Sequence, residues 1–316
     1  MVKVRNVVVS MMVLMFVFVS CYSLKKVETY EINGIKVYQS LGGFSNKVRS
    51  NFEKRGINRV FSINIRYIDK GHNFTISKDK LRERLDLIMP NRLAEEIIVL
   101  DVEGYMKDLR YSKDKELVDK IMNHYIAIYD FAKSLRPKSK IGFYGFPYRD
   151  YWHREDGWKE SNEALMPLMK KVDVLFPSIY DFYEDGVEVS TERDMSYVKD
   201  NVEEALRIAE LAGGKEVYPF IWHRYHNANK KVGMQFIDET EFYNHVKEAA
   251  KSKYNGQKIT GIIWWSSERY FYNVSERGKI NKRNSDADFD KYSNATTFDY
   301  ISILEKAIRE GSQAGN

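Results

Sequence analysis

Seven short apolar runs, each separated from the next by a longer amphipathic stretch, constrain the fold of this 316-residue chain more than any other feature. The runs cover 35–39, 59–65, 97–102, 140–146, 173–180, 216–222 and 259–265. They are rich in β-branched and aromatic residues, which marks strands. Helix-like stretches lie between and after them, at 77–88, 114–135, 162–169, 195–211, 239–252 and 297–309. In 114–135 the residues Leu117, Ile121, Tyr125, Ile128 and Ala132 form one apolar stripe, and the stretch stops before Pro137. Ser77 suits a helix N-cap, acidic residues open 239–252, and Gly213-Gly214 closes 195–211. Strands alternating with helices predict a parallel sheet covered by helices. Seven such units with no Gly-rich phosphate loop predict an α/β fold of the closed (β/α) TIM-barrel type, as a single domain over 33–310.

The third run carries the chemistry. Ile97-Ile98-Val99-Leu100 leads straight into Asp101, Val102 and Glu103. Residues i and i+2 of a strand share a side, so Asp101 and Glu103 are expected together at the strand's C-terminal end, where barrels of this type place their sites. Two adjacent, partly buried carboxyls cannot ionise independently, and one keeps its proton to higher pH. A carboxyl held protonated near neutral pH is what a glycosidase needs as its general acid.

Lys3 and Arg5 precede an apolar run over 7–19 that ends Val19-Ser20-Cys21. This pattern predicts a secretory signal over 1–21, too short in its apolar core to span a membrane. Cys21, the chain's sole cysteine, follows a small residue at the cleavage point, which resembles the bacterial lipoprotein signal. The expected product is an exported lipoprotein anchored through Cys21 to a bacterial membrane, at the cell envelope or surface. Residues 22–32 are expected to be a polar tether and 311–316 a flexible tail. A net charge of +5 is too mild to argue for nucleic acid. The expected partner is a polysaccharide and the expected state a monomer.

Aromatic residues, 14% of the chain, gather at the expected strand ends. The fourth strand ends near Tyr144, Phe146 and Tyr148, the fifth at Tyr180 and Asp181, the sixth at Trp222, His223, Arg224 and Tyr225, and the seventh at Trp264 and Trp265. Carboxylates, tyrosines and tryptophans suit the polar edges and flat faces of sugars. No Ser or Cys nucleophile stands with a base, and His223 and His226 lack an evident third ligand. Nothing in the pattern calls for a metal or a cofactor.

With these residues in place, the chain resembles the hyaluronidases, glycoside hydrolase family 56. Leu100-Asp101-Val102-Glu103 looks like the family's Asp-x-Glu. Arg136-Pro137, Gly142-Phe143-Tyr144-Gly145-Phe146-Pro147, Phe176-Pro177-Ser178-Ile179-Tyr180 and Gly261-Ile262-Ile263-Trp264-Trp265-Ser266-Ser267 are similar to its other motifs, in the same order. The resemblance implies a distorted seven-stranded barrel and a retaining endo-glycosidase that uses the substrate's own acetamido group as nucleophile. It implies Glu103 as acid/base, Asp101 as the residue orienting the acetamido group, Tyr180 and Tyr225 as hydrogen-bond partners of that group or of the sugar at the cleavage point, and Trp265 as an apolar wall. Tyr105, Tyr144, Tyr148 and Trp222 are expected to complete the substrate-binding surface. The chain departs from the family at Val102, where a Trp is usual, at Tyr105-Met106-Lys107, at Ser266, and in lacking the usual disulfide cysteines.

Two other readings share these residues. A chitinase-like or endo-N-acetylglucosaminidase-like barrel has the same Asp-x-Glu but an additional Asp two residues earlier, and here that position is Val99. A non-catalytic glycan-binding surface lipoprotein would keep the aromatic cleft without needing Glu103.

Overall fold

The computed structural model describes residues 29–155, 157–272, 274–275, 279–280 and 286–314. The signal and Cys21 therefore lie outside the described residues. Seven strand units appear where the apolar runs predict them. They are β1 (Ile35–Gly42), β2 (Asn58–Arg59 continuing as Phe61–Asn64), β3 (Ile97–Asp101), β4 (Lys140–Phe143), β5 (Val174–Leu175), β6 (Glu216–Val217 and Phe220–Ile221) and β7 (Gly261–Ser267). The pairings are parallel and run in chain order from β1 through β2 and β3 to β4. Single parallel bridges, Tyr144 to Phe176 and Ser178 to Phe220, extend the short β4, β5 and β6 beyond their regular hydrogen bonding. β6 pairs with β7, and β7 returns to β1 over seven residues. The circuit closes as a seven-unit barrel.

Helices lie between and after the strands. They are α1 (Asn46–Lys54), α2 (Lys78–Ile88), α3 (Met106–Tyr111), α4 (Lys115–Leu135), α5 (Trp158–Glu163), α6 (Met166–Lys171), α7 (Thr191–Leu211), α8 (Glu239–Lys251), α9 (Glu268–Tyr272) and α10 (Asp286–Gln313). In α4 the predicted stripe is real: Ile121, Tyr125, Ile128 and Ala132 are buried, and Asp114 caps the helix by accepting from the Leu117 N–H at 3.1 Å. The Tyr125 hydroxyl passes through the helical layer and donates to the Val102 carbonyl at 2.5 Å. That bond fixes the backbone between the two carboxylates.

Several boundaries differ from the sequence reading. Glu31–Ile32 is no tether: it pairs antiparallel with the start of β1, and Ile32 is buried. Residues 311–313 are no frayed tail: α10 runs through them, Ser312 is buried, and its carbonyl accepts from the Lys258 ammonium at 2.7 Å. α10 also begins at Asp286 rather than 297, and the expected 162–169 helix is two shorter ones. Ser77 occupies the N-cap of α2 without a side-chain capping bond.

Candidate functional site

A cleft of about 390 Å³ opens at the C-terminal ends of the strands. Asp101, the last residue of β3, and Glu103, which opens the single-turn helix Glu103–Tyr105, stand on its floor. Val102 between them turns inward and is buried, so the chain leaves the strand without separating the two carboxyls. The side-chain amide of Asn64, opposite Asp101 in the β2–β3 register, donates to Asp101 Oδ2 at 3.2 Å.

Glu103 is exposed to the cleft, whereas Asp101 beneath it is half-buried. Partial desolvation of Glu103 by the surrounding cleft, together with the charge of Asp101, pushes its pKa up to about 7; the guanidinium of Arg149 pulls the other way. Asp101 is also raised by burial, an effect moderated by hydrogen bonds from Asn64 and Glu103. The pair therefore keeps a proton up to near neutral pH, and Glu103 is the better placed to hold it.

Aromatic rings wall the cleft. Tyr180 leans against Trp265 with ring centroids 5.8 Å apart and against Trp222 at 5.8 Å, while Trp222 meets Trp265 edge-on at 5.0 Å. Tyr144 lies 6.1 Å from Tyr180, and its hydroxyl donates to Ser178 Oγ at 3.1 Å. The Trp222 indole N–H is buried with no acceptor among the described residues, which leaves a donor at the apolar wall. Val99, Met234 and Phe271 complete the apolar lining.

Asp101, Glu103, Tyr144, Tyr180, Trp222 and Trp265 thus come together as the sequence predicts. Three other predicted residues do not reach the cleft. The Tyr225 hydroxyl points into the helical layer and donates to Glu241 Oε2 at 2.9 Å. Tyr105 is buried beside α4, where its hydroxyl donates to Asp69, which also contacts His124. Tyr148 turns under Arg110, whose guanidinium lies 5.3 Å from its ring, and its hydroxyl is directed at the Met106 carbonyl. In each case the residue lies past the strand end, where strand alternation no longer dictates direction.

Sequence reasoning missed Arg149 and Asn64. Arg149 follows directly on the Phe146-Pro147-Tyr148 segment. Its guanidinium donates to Ser178 Oγ, contacts His226 Nε2 at 3.2 Å and lies 5.8 Å from the Tyr180 ring. Burial and the Arg149 charge lower the His226 pKa to about 3, so this imidazole at the cleft stays neutral. His223 belongs elsewhere: it accepts from the Trp264 indole at 2.9 Å and faces Glu268 at 3.0 Å, deep in the wall. The two histidines do not converge on one point.

A larger groove, about 790 Å³, runs between the 152–159 segment and α7. Arg154 there pairs with Asp200, and Arg207 with Glu204 and Glu163.

Comparison with known proteins supplies the context for this geometry. The family model described as Hyaluronidase matches residues 113–303. Hyaluronidase Tab y 2.0101 of Tabanus yao is 28% identical over 147 residues, covering 43% of this chain and 38% of that protein. Hyaluronidase-1 of Homo sapiens is 28% identical over 149 residues, 43% of this chain and 31% of its own length. The match thus spans less than half the length of these curated relatives. Among solved structures, bee venom hyaluronidase superposes with a TM-score of 0.61 at 15% identity, covering 87% of this chain and 99% of the bee protein. The same protein in complex with a hyaluronic acid tetramer gives a TM-score of 0.59 at 16% identity, covering 87% and 98%. These likenesses show the fold. The matched segment holds Tyr144, Tyr180, Trp222 and Trp265, whereas Asp101 and Glu103 precede it and rest on their own geometry.

Proposed function

Because the chain belongs to the hyaluronidase family, we propose that it is a retaining glycoside hydrolase that cleaves N-acetylhexosaminide linkages in a hyaluronan-like polymer, with Glu103 as acid/base. The observation that carries this reading is the carboxyl pair: Glu103, held up to about 7 by partial desolvation and by Asp101, on the floor of a cleft walled by Tyr180 and Trp265. A binding module gains nothing from two mutually repelling carboxyls in one cleft, whereas acid catalysis at neutral pH requires one of them protonated.

In the first step Glu103 gives its proton to the glycosidic oxygen as the bond from that oxygen to the anomeric carbon breaks. The acetamido carbonyl oxygen of the same sugar attacks that carbon from the opposite face, and a cyclic oxazolinium forms. Asp101 accepts from the acetamido N–H and balances the positive charge that develops there. In the second step the Glu103 carboxylate takes a proton from water, the water oxygen bonds to the anomeric carbon, and the ring opens with configuration retained. An internal nucleophile removes the need for a second enzymic one and benefits from a high effective molarity. The faces of Tyr180 and Trp265 suit the sugar ring and the acetamido methyl.

A product-size assay on hyaluronan, chondroitin and N-acetylglucosamine oligomers, with de-N-acetylated hyaluronan alongside, tests the reading. Cleavage of an acetylated polymer and none of its de-N-acetylated form is the expected result. Equal cleavage of both would remove the substrate's acetamido group from the mechanism, and binding without any cleavage would favour a glycan-binding module.

The leader pattern over 1–21 supports export and lipid attachment at Cys21, which would present the cleft at the cell envelope. Incorporation of labelled fatty acid into the expressed chain, lost in Cys21→Ala, is expected. Equal labelling of the two proteins would rule out the anchor.

A further inference from the structure

Behind the Tyr180 wall lies a second cluster of titratable groups that the mechanism does not use. Asp181 follows Tyr180 beyond the end of β5, Asp194 lies in the first turn of α7, and Glu241 and His245 stand four apart on one face of α8. Their exposures are 1%, 0%, 6% and 3%. Asp181 Oδ2, Asp194 Oδ2, Glu241 Oε1 and His245 Nδ1 are each buried without a hydrogen-bond partner among the described residues. None of the four groups has a Lys or Arg ion pair among those residues. Buried polar atoms are ordinarily satisfied, and these four face one another, so something positive, a proton or a cation, belongs between them.

The opposite side of each group is occupied. Asp194 Oδ1 accepts from the Tyr151 hydroxyl at 2.9 Å, and Asp181 Oδ1 accepts from the Tyr183 N–H at 3.3 Å. Glu241 Oε2 accepts from the Tyr225 hydroxyl at 2.9 Å and from the Asp185 N–H at 3.1 Å. His245 Nε2 is 2.5 Å from the Ile179 carbonyl, an acceptor, so Nε2 carries the proton and Nδ1 presents a lone pair. That lone pair faces Asp181 Oδ2 at 3.5 Å, acceptor against acceptor. An imidazole fixed by a backbone carbonyl, among carboxylates held by tyrosines, is the usual outer support of a metal centre.

The geometry points to a buried site for a divalent transition ion of the zinc type, held by Asp181, Asp194 and His245, with Glu241 beside them as a further negative charge. The donor atoms of the first three lie within 4.8 Å of one another. A tetrahedral ion with bonds near 2.0–2.1 Å sets its ligands about 3.3 Å apart, so His245 and Asp181 are close to that spacing already. One nitrogen and several carboxylate oxygens favour such an ion over calcium, which prefers oxygen alone. The ion would brace the cleft, since the Asp181 carbonyl accepts from the His226 N–H at 2.7 Å and the Tyr180 carbonyl from the Tyr197 hydroxyl at 3.0 Å. The competing occupant is the proton: burial and mutual repulsion push Asp194 and Glu241 up to about 8.

The test is metal content and thermal stability of the full chain, unfolded and refolded either with a chelator or with zinc chloride, with calcium and manganese chloride as comparators. Expected are one zinc per chain that survives gel filtration and a higher Tm for the zinc-refolded protein. Both effects should be lost in Asp194→Asn and in His245→Gln. If the variants fail to fold, the two wild-type preparations still decide. Identical Tm values and no stoichiometric metal would mean that the cluster holds protons only, and would overturn the site. Zinc uptake that persists in both folded variants, or uptake of calcium but not zinc, would overturn it as well. None of these readouts depends on hyaluronan cleavage.

Discussion

Replacing Glu103 with Gln is expected to lower kcat on the cleaved polymer by about 10²–10⁴-fold, the range set by general acid–base catalysis, while Kd changes little. The amide keeps the shape of the side chain and its place beside Asp101, but it has no proton to give and no charge with which to activate water. Steady-state kinetics paired with equilibrium binding of the same polymer reads both quantities. The pH profile gives a second reading. Glu103 holds its proton below about 7, so wild-type kcat/KM falls as pH rises through that value. On the acid side the rate falls as Asp101, itself raised from 3.8 by burial, gains a proton and no longer balances the acetamido charge. Glu103→Gln loses the alkaline limb from whatever activity remains. Full activity in this variant, with an unchanged limb, would assign the acid to another group.

The second large effect belongs to the neighbours of Glu103. Asp101→Asn removes a negative charge that raises the Glu103 pKa, so the alkaline limb should move below about 7. The same variant loses the orienting carboxylate, and misplacement of the acetamido nucleophile should cost on the order of 10²-fold in kcat. Arg149→Met removes a positive charge that lowers the Glu103 pKa, so its limb should move above about 7. Opposite displacements in the two variants are a signature that lost stability or general damage to the cleft cannot imitate. Limbs that stay in place, or move the same way, would show that the pair does not set the acid's pKa.

The barrel was legible because its determinants are local and periodic. The apolar runs at 97–102 and 259–265 and the α4 stripe are each visible in a short window, and each became the expected element. α1 escaped because only Val48 and Phe52 of its nine residues are buried, which leaves too little apolar pattern to see. The carboxyl pair and the Tyr180, Trp222 and Trp265 walls were legible because strand ends converge in any such barrel. Tyr105, Tyr148 and Tyr225 were misplaced because direction beyond a strand end is set by tertiary partners, here Asp69, Met106 and Glu241. Arg149 is set by contacts with Ser178 and His226, which no local pattern joins to it. The buried Asp181, Asp194, Glu241 and His245 cluster was invisible for the same reason, since three elements assemble it.

The two ends of the barrel chain are neighbours. The Asn33 side-chain amide donates to Ser312 Oγ at 3.0 Å and to the Arg309 carbonyl at 3.3 Å, next to the start of β1. Strands enter the barrel on that side, and the cleft opens on the other. A fusion partner or a surface linkage attached near these ends would therefore sit on the face opposite the cleft and leave its mouth unobstructed. The fold is in this sense suited to circular permutation, with new ends cut into an exposed loop and the cleft side untouched.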